Sequence, residues 1–75
     1  MIIEFSQGKL VVTPLEIQCR LNVSKVVLTA MVDDIKCIAE RLLIIADAGA
    51  VRWSIQLDNN QQFYEAIEVL GIAPE

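Results

Sequence analysis

Asp33 and Asp34 are adjacent carboxylates. Such a pair can share a proton, or hold a hard cation if a third oxygen donor joins it, and Asp47 is the residue that could supply one. Their setting points to a plainer role. They break the apolar run Val26 to Val32, and Asp at such a break hydrogen-bonds its own main chain in a turn. Cys19 and Cys37 are the remaining candidate nucleophiles. Cys19 falls on the apolar side of an alternating segment, and Lys36 is the one cation adjoining Cys37. Neither setting is the electropositive environment that lowers a thiol pKa. The chain contains no histidine, which removes the commonest general base, the usual metal ligand and every Ser-His-Asp or Cys-His arrangement. Asp47-Ala48-Gly49-Ala50 lacks the further glycines and the lysine of a phosphate loop, and reads as a turn. No catalytic, cofactor-binding or metal-ligating set is expected.

Four residues stand out instead as contacts for a ligand or a partner. Trp53 lies on the inward side of an alternating strand, where an indole packs in a core or walls a pocket and its N–H needs an acceptor. Arg52 faces the other way, toward solvent or toward a carboxylate of a second copy. Tyr64 follows the core residue Phe63 on a helix, about 100° round from it, and is expected to border the interface. Met31 is on the outer side of a strand whose two faces are both apolar.

These residues are positioned by a series of short alternating segments. Ile3 and Phe5 alternate with Glu4 and Ser6, Gln7-Gly8 reads as a two-residue hairpin turn, and Leu10 to Thr13 returns to Pro14. Leu15, Ile17, Cys19, Leu21 and Val23 then form one face of a long strand, and Asn22 to Lys25 turns the chain. In the next run Val26, Leu28, Ala30 and Val32 share one face, while Val27 and Met31 occupy the other. The segment Ile35 to Ala48 supports two readings. At period 2 it gives a strand through Ile35, Cys37 and Ala39, a turn near Glu40-Arg41 and a strand from Leu42 to Ala46. At period 3.6 it gives a helix capped by Asp33 and Gly49. The β-branched pair Ile44-Ile45 favours strands.

From Val51 to Leu57 alternation is strict, and after Asp58-Asn59-Asn60 the spacing turns helical at Phe63, Ala66, Ile67 and Leu70, ending at Gly71. Asp58 with Gln61, or Asn59 with Gln62, has capping-box spacing. Residues 1–57 carry six basic groups and six acidic ones, which cancel. Asp58, Glu65, Glu68 and Glu75 have no basic partner in sequence and account for the net charge of −4. An acidic helix repels phosphates, so neither nucleic acid nor an anionic membrane is an expected partner. Val26 to Val32 is far short of the ~20 residues that span a bilayer. Met1-Ile2-Ile3-Glu4 lacks the basic start and apolar stretch of a signal peptide, so a cytoplasmic chain with reduced thiols is expected.

The order of elements, with the strand–helix ending Trp53 to Gly71, resembles the pleckstrin-homology-like layout. The resemblance implies a partly open barrel plugged by the helix. Glu4-Phe5-Ser6-Gln7-Gly8-Lys9, Val32-Asp33-Asp34-Ile35 and Asp47 to Leu57 together resemble a small bacterial domain family of unknown function. Its relatives are sometimes labelled sugar phosphotransferase components, a role that the absence of histidine argues against.

The expected fold is therefore a single α+β domain. It has a curved antiparallel sheet or partly open barrel of about six or seven strands and one C-terminal helix. The alternative has four or five strands and a second helix at 34–47. With 55% hydrophobic residues in 75, and a helix only ~17 Å long, Val27, Met31, Leu43 and Ile45 are expected to stay uncovered. That surface implies a homodimer. The expected function is a non-catalytic, self-associating interaction module. A small-molecule binder with a pocket near Trp53 or at a dimer seam is the alternative.

Overall fold

The computed structural model describes residues 1–23 and 25–75. The first four strands, β1 (Ile2–Phe5), β2 (Gly8–Val12), β3 (Glu16–Leu21) and β4 (Val27–Met31), form an antiparallel meander. A single 3-10 turn, Val32–Asp34, leads into a second meander of β5 (Ile35–Ile38), β6 (Leu43–Asp47) and β7 (Arg52–Gln56). Helix α1 (Asn60–Leu70) ends the fold. The α+β class and the strand reading of the middle segment hold. The second helix considered for 34–47 is absent among the described residues, its place taken by two strands and the single turn Ala39–Arg41. The strands lie in two separate sheets that are not closed into a barrel.

The physical reason for the strand outcome lies at Leu42. It adopts a left-handed conformation (φ 55°) after the Ala39–Arg41 turn, at a cost of about 1–2 kcal/mol for a residue with a Cβ. Its N–H donates to the Ala39 carbonyl at 3.2 Å and its own carbonyl accepts from Leu57 N–H at 2.9 Å. The kink reverses the chain so that Ile44 and Ala46 point inward opposite Cys37 and Ile35. A helix would have left part of the all-round apolar run Leu42 to Ile45 in water; paired strands half-bury Leu43 and Ile45 on the outer face.

Alternation dictates what is buried. Ile3 and Phe5, Leu10 and Val12, Ile17 and Cys19, and Ala30 from the first sheet meet Ile35, Cys37, Ile44, Ala46 and Ile55 from the second in one cluster. Phe63, Ala66, Ile67 and Leu70 complete it from the helix, the four positions that the helical spacing predicts. Burial fades at the ends of the alternating runs. Leu15, Val23 and Val51, expected inward, lie beyond their strands and are exposed.

The first hairpin turns one residue earlier than Gln7-Gly8. Phe5 pairs with Gly8, so the loop is Ser6-Gln7 and Gly8 opens β2. Its glycine is required by proximity rather than by the turn: a Cβ there would strike the Arg20 carbonyl group and sit 3.0 Å from the Leu21 Cα. Thr13 shapes the Pro14 corner, its hydroxyl oxygen accepting from Leu15 and Glu16 N–H at 3.2 and 3.1 Å. The turn expected at Asn22 to Lys25 includes Ser24, which lies outside the described residues.

Candidate functional site

Both thiols are wholly buried and unbridged. Burial raises the pKa of Cys19, and it pushes Cys37 up to about 11, with the Glu75 carboxylate adding to the effect. Thiols held protonated in an apolar core are poor nucleophiles. Asp33 and Asp34 occupy the 3-10 turn between the sheets. Asp47 lies one position beyond the Ile35–Ala46 pair, at the same end of the second sheet. Its carboxylate is already engaged: it accepts from Gly49 N–H at 3.0 Å and from Arg52 Nε at 3.2 Å. The Gly49 bond first, and the Arg52 charge after it, lower the Asp47 pKa. Among the described residues no cluster of three metal-ligating side chains occurs.

The four contact candidates are not brought together. Arg52 finds its carboxylate within the same chain, opposite Asp47 across β6 and β7. Trp53 is half-buried against the core, paired with Ala46. Tyr64 is exposed, its ring edge-on to Phe63 at 5.3 Å between centroids. It lines an open groove of about 540 Å³ with Ile67, Glu68, Gly71, Ile72 and Pro74. Trp53 does not border that groove, which lies between the last turns of α1 and the chain that follows. Met31 ends β4, exposed on the outer face.

A different feature emerges from the sheet edges. Each sheet has two, and an unpaired edge exposes main-chain donors and acceptors that another strand can take. On β1, the hydrogen-bonded pair Met1–Val12 sets the alternation, so Ile2 and Glu4 turn their main chain outward. Asp58 and the first turn of α1 cover the Glu4–Ser6 end of that edge, while Ile2 stays exposed. Gln62 Nε2 donates to the Glu4 carbonyl at 3.0 Å, and the Asp58 carboxylate accepts from Ser6 N–H at 2.8 Å. Gln62 serves three partners at once. Its N–H donates to the Asn59 side-chain oxygen at 2.9 Å, fixing the helix cap, and its own side-chain oxygen accepts from Asp58 N–H at 3.0 Å. The capping box is thus Asn59 with Gln62, and its return bond falls one residue before the cap.

On β5, Glu75 closes the edge: its N–H donates to the Cys37 carbonyl at 2.6 Å and its carbonyl accepts from Ala39 N–H. On β7, the outward positions are Arg52, Ser54 and Gln56, all polar and exposed. Gln56 donates its side-chain amide to the Arg41 carbonyl at 3.0 Å. A charged and polar edge of this kind discourages strand addition.

Strand β4 is different. The bonds Leu21 N–H to Val26 carbonyl and Val32 N–H to Leu15 carbonyl fix which residues face β3. Even-numbered positions do, so Val27, Thr29 and Met31 turn their N–H and carbonyl groups outward. Among the described residues nothing covers them. Their side chains are exposed as well, Val27 and Met31 each at 52%, and none is charged. Sequence periodicity separates the faces of this strand but cannot reveal that it is an edge. For that reason Met31 is legible as a contact and Thr29 is not.

The family model described as "Protein of unknown function (DUF3389)" matches residues 1–74. The chain belongs to that family. It is a small domain family whose description carries no activity, in agreement with the resemblance drawn from the three sequence segments. No curated protein and no solved structure matches, so the pleckstrin-homology resemblance rests on the order of elements. No helix among the described residues is long and apolar enough to cross a membrane.

Proposed function

We propose that this domain is a non-catalytic interaction module that works by self-association, as a homodimer in the cytoplasm. The observation that carries the reading is the bare β4 edge, where unpaired main chain coincides with exposed Val27 and Met31. The two buried, unbridged cysteines suit a reducing compartment and leave no activated thiol. The unbalanced acidic residues of α1 and the tail favour a protein partner over a nucleic acid or an anionic lipid surface. Gel filtration with light scattering tests it: a species near twice 8.4 kDa is expected, and a clean monomer at about micromolar concentration would overturn it.

A second reading has one observation behind it. The groove beside Tyr64, at about 540 Å³, is within the size range of small-ligand sites, roughly 300–1,000 Å³. Its lining is mostly apolar, with Tyr64 and Glu68 as the residues that carry polar side chains. Native mass spectrometry of protein purified from cells would reveal a retained small molecule if this reading holds; bare chain mass would remove it.

A further inference from the structure

We propose that two copies of this chain join antiparallel through β4, with the two-fold axis passing at Thr29, to make one continuous sheet across both first meanders. The proposal rests on the self-association reading and assigns it a surface and a register.

The main-chain pattern sets the register. Only Val27, Thr29 and Met31 of β4 turn hydrogen-bonding groups outward. An antiparallel pair uses all three when Thr29 meets Thr29 and Val27 meets Met31 on either side of the axis, each pair exchanging two bonds. Shifting the axis to Val27 or Met31 leaves outward groups of the strand without partners. The side chains agree with this choice. Each half-exposed Val27 is set against a half-exposed Met31 on the same face, and the central pair is two threonines, a β-branched pair suited to cross-strand packing.

Charge fixes the direction. The two ends of β4 differ in sign: Lys25 precedes the strand and Arg20 lies across from Val27, whereas Glu16 lies across from Met31 and Asp33-Asp34 follow it. Antiparallel pairing about Thr29 brings Lys25 of each copy to Asp33 of the other. It also sets the Arg20 side of one copy in the same cross-strand row as the Glu16 side of its partner. A parallel pair would stack like charges at both ends, which is destabilising. The other edges are less open. Asp58 and Gln62 occupy the Ser6 and Glu4 groups of the β1 edge, Glu75 occupies those of Cys37 and Ala39 beside β5, and β7 presents the polar Arg52, Ser54 and Gln56.

Two substitutions at Thr29 test the pairing in the full chain. Thr29→Pro removes an N–H that points away from β3, a position where an edge strand tolerates proline. It is expected to turn the dimer into a monomer by light scattering while far-UV circular dichroism stays unchanged. Thr29→Cys places two thiols across the axis at about 5.5 Å between Cα atoms, within disulfide reach. Oxidised glutathione is expected to link it into covalent dimers, while Ser54→Cys on β7 stays unlinked. If the wild type is dimeric but Thr29→Pro remains dimeric and Thr29→Cys does not link, the β4 assignment fails and self-association stands on another face. A monomeric wild type overturns both.

Discussion

The N–H of Glu75 reaches the carbonyl oxygen of Cys37 at 2.6 Å, so the tail lies along β5 as a one-residue strand. The same contact places a carboxylate beside a core thiol whose side chain is fully buried. The one tail position thus bonds the β5 edge and adds to the rise in thiol pKa that burial chiefly causes.

The thiol makes the fold sensitive to base. In the folded chain Cys37 is raised from 9.0 to about 11, chiefly by burial and then by Glu75. Between these values the unfolded chain loses a proton that the folded one keeps, so stability is intact below the lower value and declines as pH rises. The loss should approach roughly 2–3 kcal/mol at the upper end. Urea midpoints at about pH 8 and about pH 10.5 should differ less in Cys37→Ala than in the wild type. An equal drop in both would show that other groups set the base sensitivity. Ellman's reagent should modify neither cysteine until the chain is unfolded.

Gly8 and Gly49 should respond differently to alanine. At Gly8 the added methyl meets the backbone of Arg20, which cannot swing away, and a loss of about 3 kcal/mol is expected. At Gly49 it meets open space, and the cost is the left-handed backbone alone (φ 86°), about 1 kcal/mol. Thermal unfolding ranks the two, and equal losses would contradict the close approach of β2 to β3.

The clasp between α1 and β1 can be cut at either atom set. Gln62→Ala should cost about 1–2 kcal/mol, since it removes a bond to Asp58 and one to Glu4. Asp58→Ala should leave the Ser6 amide without its acceptor. Hydrogen exchange at Ser6 is then expected to quicken markedly while Leu10, in the centre of the sheet, is unaffected. An unchanged Ser6 rate would mean that the carboxylate does not hold it in solution.

Charge reversal probes the direction of the proposed pairing. Lys25→Glu and Asp33→Lys should each weaken self-association roughly tenfold, because each reversal acts at both symmetry-related ends. An equimolar mixture should recover a heterodimer near wild-type affinity. Sedimentation velocity reads all three, and additive weakening in the mixture would exclude an antiparallel contact between these ends.

Much of this architecture is legible in the sequence because burial follows period. Alternation at Ile17 and Cys19, and the 3.6-residue spacing from Phe63 to Leu70, report directly which side faces the core. The ends of the runs mislead, since Leu15 and Val51 continue the alternation beyond the ends of β3 and β7, where the core no longer reaches. Long-range hydrogen bonds are invisible to any local pattern. Gln62 reads as a cap residue, yet it also reaches back to Glu4, and nothing near Glu75 hints at Cys37. Charge at Arg52 is legible, but its partner becomes clear only when β6 and β7 pair and bring Asp47 opposite.

The clasp of Asp58 and Gln62 on β1 also bears on how many copies an assembly can hold. Joining through β4 would use the bare apolar edge of each copy and leave β1 at both outer ends of the shared sheet. There the Glu4 carbonyl and the Ser6 N–H are already taken by the side chains of Gln62 and Asp58. Growth by strand addition would then be hindered beyond two, because the contact is self-complementary and the far ends are partly blocked. Loosening that clasp, rather than strengthening β4, is the change that would convert a closed pair into an open fibre.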